Sequence, residues 1–249
     1  MERAKPSDTT PEQAKLDRLI IVAILVLAAA LRLWGLGSGE VLTDEGNYAL
    51  RAIGWNDFNY STTLQTPWVW WQTQDRLPGW TLLSFADHPP LHFGLIWLAT
   101  HLLGISLFAV RLPSALLGVA RVALVMAVGR RLGWGRAALV SGVFLAMLPW
   151  HIYISRQAIQ ESGVMFWLLL GLWLWLVGRD RPRRWWALSG FAFGAAMLTK
   201  YSGAVWLPLW LLLRRTLRRR THDWIIPVAA VNVLLPVLIY NAMLYTERG

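Results

Sequence analysis

The stretch LHFGLIWLATHLLG, residues 91–104, decides how this chain is threaded. It is apolar, yet its fourteen residues reach only about 21 Å as a helix, against roughly 30 Å of hydrocarbon in a bilayer. Seven other runs are better candidates for spans: residues 19–36, 108–129, 137–155, 163–178, 185–199, 203–213 and 224–245. If 91–104 crosses as well, the twelve arginines of 130–136, 179–184 and 214–220 fall on the side opposite the basic N-terminal tail. If it does not cross, they share that tail's side, which is the arrangement that cytoplasmic retention of positive loops favours.

The expectation is an all-α polytopic helix bundle of about seven transmembrane helices, set in the inner (plasma) membrane with the N-terminus cytoplasmic. Residues 1–18 read as a polar cytoplasmic tail and 19–245 as the transmembrane module. A long first extracytoplasmic loop covers 37–107, and within it 91–104 lies along or dips into the outer face as an interfacial helix. The run 19–36 lacks a small-x-small cleavage site and reads as a retained anchor.

Composition excludes the main alternatives. Apolar residues are 56% of the chain and charged residues 15%, where a soluble fold carries about a quarter. Mean hydropathy is +0.42. Seventeen tryptophans suit a protein with two hydrocarbon–water boundaries, and the simplest role for them is interfacial anchoring. The net charge of +10 is scattered in short blocks between apolar runs rather than gathered in one patch, so nucleic acid is not an expected partner. The absence of cysteine excludes disulfides, thiolate zinc sites and a cysteine nucleophile. No P-loop, dinucleotide fingerprint or His-Glu-x-x-His motif is present.

The first outer loop differs chemically from the rest. Up to Pro90 it carries Glu40, Asp44, Glu45, Asp57, Asp75 and Asp87 against Arg51 and Arg76, together with Trp55, Trp68, Trp70, Trp71 and Trp80. A loop that long usually carries function. Adjacent carboxylates at Asp44 and Glu45 repel each other beside lipid, so one can serve as a base or both can hold a cation; the plainer reading is a helix start capped by Thr43 or Asp44. Asp87-His88-Pro89-Pro90 stiffens the backbone ahead of the short helix and could hold Asp87 and His88 over the same pocket, or form only an interfacial turn. Arg111, Arg156, Glu161 and Lys200 lie at outer helix ends, where buried charges often mark sites; a bare Arg156–Glu161 ion pair and a snorkelling Lys200 are the plainer alternatives. Arg121, in the middle of a span, suits inward snorkelling or pairing within the bundle. His101 and His151 read as interfacial residues.

Taken in order, Asp44-Glu45 after the first span, His88-Pro89-Pro90-Leu91, Arg111-Leu112-Pro113-Ser114-Ala115-Leu116, Glu161 after the third span and Leu198-Thr199-Lys200-x-x-Gly203 resemble one known family. It is the dolichyl-phosphate-mannose–protein mannosyltransferase family, glycosyltransferase family 39 with its bacterial relatives, among them the lipid A aminoarabinose transferases, all of the GT-C fold. The resemblance implies sugar transfer, with inversion, from a polyprenyl-phosphate donor to a lipid or protein acceptor at the extracytoplasmic face. It gives Asp44 the place of the catalytic carboxylate, with Glu45 beside it. Glu161 stands where the family usually has Asp, and Lys200 matches the lysine of the fifth-span motif. His88 holds the position that some bacterial relatives fill with lysine near the donor phosphate or a metal, and Asn47 stands where those relatives carry arginine.

The residues expected to contact substrate are Tyr48, Asp87, His88, Arg111, Arg156, Glu161 and Lys200. Asp44 and His88 are the candidates for a divalent metal ion, which the sequence leaves open as a cofactor. Family members usually continue into a second outer loop and further spans, so residues 246–249 read as the start of that loop. A truncated chain, a split protein completed by a partner chain and a standalone module all fit. The alternative to an enzyme is a membrane subunit or scaffold that binds lipid-linked sugar without turnover. A transporter is less favoured, because the spans lack paired, broken segments at the midplane.

Overall fold

The computed structural model describes residues 10–53, 85, 88–216 and 223–248. Expectations placed on Asp57, Asp75, Asp87, Arg76, Trp55, Trp68, Trp70, Trp71 and Trp80 fall outside the described residues. Among those described, the regular structure is helical.

Helix α1 covers Pro11–Leu33. Its start is written in the sequence: the Thr10 hydroxyl accepts from Gln13 N, and Gln13 Oε1 accepts from Thr10 N, a capping box with proline in the first turn. Then follow α2 (Thr43–Ile53), α3 (Leu91–Leu103) and α4 (Leu107–Arg131). Next come α5 (Arg136–Met147), α6 (Pro149–Ser155), α7 (Gln160–Gly178) and α8 (Arg184–Thr199). A 3₁₀ turn over Tyr201–Val205 leads into α9 (Trp206–Thr216), and α10 (Ile225–Arg248) ends the described chain.

Among the described residues, three helices are long and apolar enough to cross a membrane: α4, α7 and the Ile225–Met243 part of α10. A fourth crossing results if α5 and α6 count as one span, bent by 63°. The expected run 137–155 is therefore broken rather than straight, because Pro149 has no N–H to offer the Leu145 carbonyl. Arg32 of α1 supplies the missing donors instead, with Nη2 to Leu145 O at 3.2 Å and Nη1 to Ala146 O at 3.1 Å. The runs expected to cross at 19–36, 185–199 and 203–213 correspond to α1, which carries Asp17, Arg18 and Arg32, and to the shorter α8 and α9.

Arg156 caps α1 in the same way that Arg32 caps α5. Its guanidinium donates to Leu31 O, Arg32 O, Trp34 O and Gly35 O, satisfying carbonyls at the negative end of the helix. The alternative of an Arg156–Glu161 pair is thereby corrected: Glu161 pairs with Lys200. His151 also departs from expectation, since it is buried against Arg32 rather than lying at an interface. Arg121 pairs within the bundle, donating to Ser162 Oγ on α7.

Packed apolar regions hold the helices together, one of them formed by Ala52, Phe93, Ile96, Val110 and Ala158. Around α7, α8, α9 and α10 the core contains Trp175, Trp186, Phe193, Trp206 and Trp210, so these four indoles are core residues and not surface anchors. Trp34, Trp134, Trp150 and Trp224 are exposed near helix ends. Around α1, α4 and α5, Ile24, Ala28, Val122, Met126, Leu139 and Ala146 form another core. In lipid, close helix approach depends on small residues. A Cβ added to Gly190 would lie 2.4 Å from Ile226 O, and one added to Gly194 would lie 2.7 Å from Val233 Cβ, so this small-x-x-x-small pair on α8 seats α10.

Charges are sorted by bundle end. Arg130–Asp17 and Arg131–Asp180 join the start of α1 and the ends of α4 and α7. Arg111–Glu45 and Glu161–Lys200 stand at the other end. His92, in the first turn of α3, and Arg111, near the start of α4, both reach the 157–158 segment. The starts of α3 and α4 therefore share one end of the bundle. Gly194→Leu is expected to separate α8 from α10 and to cost about 1–3 kcal/mol or more; thermal unfolding in detergent measures this, and an unchanged midpoint contradicts the packing.

Candidate functional site

The site end is organised by one buried ion pair. Asp44 and Glu45 occupy the first turn of α2, and successive helical residues point about 100° apart. Glu45 turns inward and is fully buried. Its carboxylate takes two parallel hydrogen bonds from Arg111, from Nε at 2.7 Å and Nη2 at 2.7 Å, and a third from Ala158 N at 2.8 Å. Arg111 spends its remaining donors on backbone, with Nη1 to Ser38 O at 2.7 Å and Leu36 O at 3.3 Å and Nη2 to Glu40 O at 2.7 Å. A fork-to-fork pair with further donors is the geometry in which burying two charges is tolerated. Both groups are thus occupied by each other, by backbone and by the Gln157 side chain.

Asp44 is exposed. Four residues on, and so on the same helical face, Tyr48 reaches His88, with its hydroxyl 3.3 Å from His88 Nε2. The Tyr48 ring also meets His88, His92 and Phe93 edge-on at 5.3, 5.9 and 5.8 Å. Asp44, Tyr48 and His88 therefore belong to one wall. Pro89 is buried, and together with Pro90 it delivers His88 to this wall and starts α3.

A second wall carries Lys200, which ends α8 in an extended conformation and pairs with Glu161 of α7. Beside it the Tyr201 hydroxyl donates to Phe85 O, while Phe85 N donates to Asn241 Oδ1 at 3.1 Å. The backbone just ahead of the His-Pro-Pro corner is thus gripped from the 3₁₀ turn and from α10. Arg156 is set apart from these groups and serves the end of α1. Asp87 lies outside the described residues.

Three groups went unweighed in the sequence. Gln157 accepts from Arg111 Nη2 at 3.3 Å, Asn241 holds Phe85 as just described, and His92 grips the Ala158 carbonyl at 2.9 Å. The signal for His92 was available, since it stands four residues after His88 on an apolar helix. His92 is buried; loss of hydration pushes its pKa down to about 4, against weaker raising effects from the Ala158 carbonyl and Glu161. It is neutral at neutral pH, with Nε2–H as donor.

Metal ligation needs convergent donors. Among the described residues no group of three or more His, Asp or Glu side chains gathers, and Asp44 with His88 makes two. Between α3 and α4 an apolar cavity of about 320 Å³ opens, lined in part by Leu95, Leu98, Leu102, Leu112 and Leu116. It begins one residue from Arg111.

Residues 87–240 match the family described as dolichyl-phosphate-mannose-protein mannosyltransferase. The polyprenol-phosphate-mannose–protein mannosyltransferase of Mycobacterium tuberculosis is 29% identical, over 76% of this chain and 39% of its own length. The chain thus spans about two fifths of the curated relatives that it matches. Among solved structures, the Saccharomyces cerevisiae protein O-mannosyltransferase Pmt1–Pmt2 complex bound to the sugar donor is similar with a TM-score of 0.63 and 19% identity, over 97% of this chain and 36% of that one. ArnT of Cupriavidus metallidurans in the apo state gives 0.66 and 20%, over 93% and 42%. The same protein bound to undecaprenyl phosphate gives 0.65 and 21%, over 92% and 42%. At these identities the structural likeness speaks for the fold.

Two outcomes follow from the geometry. Arg111→Met leaves the Glu45 carboxylate buried without its partner and is expected to cost about 3–5 kcal/mol; a loss below about 1 kcal/mol in chemical unfolding contradicts the buried pair. His92 is held neutral below its unfolded pKa of about 6.5. Its contribution is therefore complete above that pH and is lost as pH falls toward about 4, on the order of 3 kcal/mol in all. His92→Asn is expected to flatten the stability profile across that window; an unchanged acid limb contradicts the assignment.

Proposed function

The chain belongs to the dolichyl-phosphate-mannose-protein mannosyltransferase family, and from that premise we propose that it is the membrane module of an enzyme moving a sugar from a polyprenyl-phosphate donor to a hydroxyl of a lipid or protein acceptor. The site faces the extracytoplasmic side of a plasma membrane, with the N-terminus and the arginine-rich ends of α4, α7 and α9 in the cytoplasm. Seven crossings are read for the module, with residues 37–107 as its outer loop and α3 lying at the interface. Groups beyond those described, from this protein or from a partner chain, complete the donor site.

Asp44 is the base. Its carboxylate takes the proton of the acceptor hydroxyl while that oxygen bonds the anomeric carbon from the face opposite the donor phosphate. The bond from that carbon to the phosphate oxygen breaks, the lipid phosphate leaves with the electron pair, and the configuration inverts. The leaving group is already an anionic phosphate, so no strong general acid is needed. Lys200 and His88 lie at the two walls where cationic or donor groups can offset its charge. Glu45 and Arg111 are positioning residues, since their hydrogen-bonding capacity is taken up by each other, by backbone and by Gln157. The apolar cavity between α3 and α4 offers room for part of a lipid chain close to the site.

The observation that carries this reading is the division of labour between adjacent carboxylates, with Glu45 locked inside and Asp44 exposed on the face of Tyr48 and His88. Asp44→Asn in the intact protein is expected to lower polyprenyl-phosphate-dependent transfer by roughly a hundred- to ten-thousandfold, with membrane insertion and donor binding retained. Transfer at the parental rate in that variant overturns the assignment of the base.

A further inference from the structure

Between α1, α4, α6 and α7 lies a polar cluster that the proposed transfer does not use. Arg32 is 0% exposed and Arg121 4%. Arg32 donates to His151 Nδ1 on α6 at 2.5 Å. Arg121 donates to Ser162 Oγ on α7 at 3.1 Å, and that hydroxyl donates on to Ser114 O at 3.1 Å. Gly118, one turn from Arg121, lets the elements meet: a Cβ there would stand 2.3 Å from Ser155 Cβ and 3.3 Å from Arg32 Cδ. The two guanidiniums are near enough for their charges to act on each other and on His151.

Both arginines are permanently cationic, and burying charge within a bilayer is costly unless it is balanced. Arg32 is partly balanced by the carbonyl end of α5. Arg121 has a neutral serine. Among the described residues, neither forms an ion pair with a carboxylate. Unmatched polar atoms lie there as well. Arg32 Nε and Arg121 Nε are buried donors without a partner, and Ser114 Oγ, a hydroxyl that can donate or accept, is also unpartnered.

Buried polar groups seldom stay unmatched. Water would bring two donors of its own into a region already rich in donors. An anion brings acceptors alone, and it also offsets the charge. We propose that the Arg32–Arg121 cluster is a buried binding site for a small inorganic anion of the chloride class, held by the two guanidiniums and tying α1, α4, α6 and α7 together beneath the site. The ion is structural, and the proposal does not depend on the transfer reaction.

The probe is chloride itself, exchanged for gluconate at constant ionic strength with the intact protein purified in detergent. A ligand bound by the folded state raises the melting temperature with its concentration. The expected result is a rise of several degrees over a roughly hundredfold increase in chloride, and loss of that dependence in Arg121→Gln. Ser114→Ala, which removes one hydroxyl and keeps the helix, reads the site if the arginine variant does not fold; its chloride dependence is expected to weaken. In crystals grown in bromide, an anomalous peak is expected within hydrogen-bonding distance of Arg32 and Arg121. A melting temperature indifferent to chloride, or anomalous maps without bromide at the cluster, overturns the proposal.

Discussion

Arg111 and Glu45 join parts of the chain that are remote in sequence. The carboxylate comes from α2, the guanidinium from α4, and their outer contacts are the backbone after α1 and the segment between α6 and α7. Removing either partner strands the other's charge in a dry environment, so the four parts are held in one arrangement or not at all. Everything displayed at this end of the bundle depends on that arrangement: the outward turn of Asp44, the seat of Tyr48 against His88, and the reach of His92 to Ala158.

Arginine serves the fold in a second way. Arg32 and Arg156 fill carbonyls at helix ends where Pro149 or the end of α1 leaves them without donors. Lipid offers no water to those carbonyls, so a side chain has to supply the donor. Basic residues within apolar helices thus have structural duties distinct from those of Lys200 and the loop arginines.

Much of the architecture was legible in the sequence because hydrocarbon imposes length and apolarity directly. The runs at 108–129, 163–178 and 224–245 became α4, α7 and α10, and the short run at 91–104 became α3. The acids at 44 and 45 and the His-Pro-Pro corner did fall at one end. Which acid faces inward was not legible, since a helix sends neighbours 100° apart and the sequence does not say where the rotation begins. Glu161 choosing Lys200 over Arg156 depends on tertiary placement, because Arg156 is drawn off by the end of α1. The tryptophans misled in part: four of them fill the space between α7, α8, α9 and α10, a role that composition cannot separate from anchoring. Membership of the mannosyltransferase family agrees with the order of motifs but leaves the roles of individual residues to chemistry.

The central claim is that the Asp44 turn faces outward while the arginine-rich ends face the cytoplasm. The chain has no cysteine, so single cysteines can be placed at the exposed positions 43 and 136 without background. In sealed right-side-out vesicles treated with a membrane-impermeant maleimide, Thr43→Cys is expected to label at once and Arg136→Cys only after the vesicles are opened. Labelling of both before opening, or of Arg136→Cys alone, contradicts the arrangement.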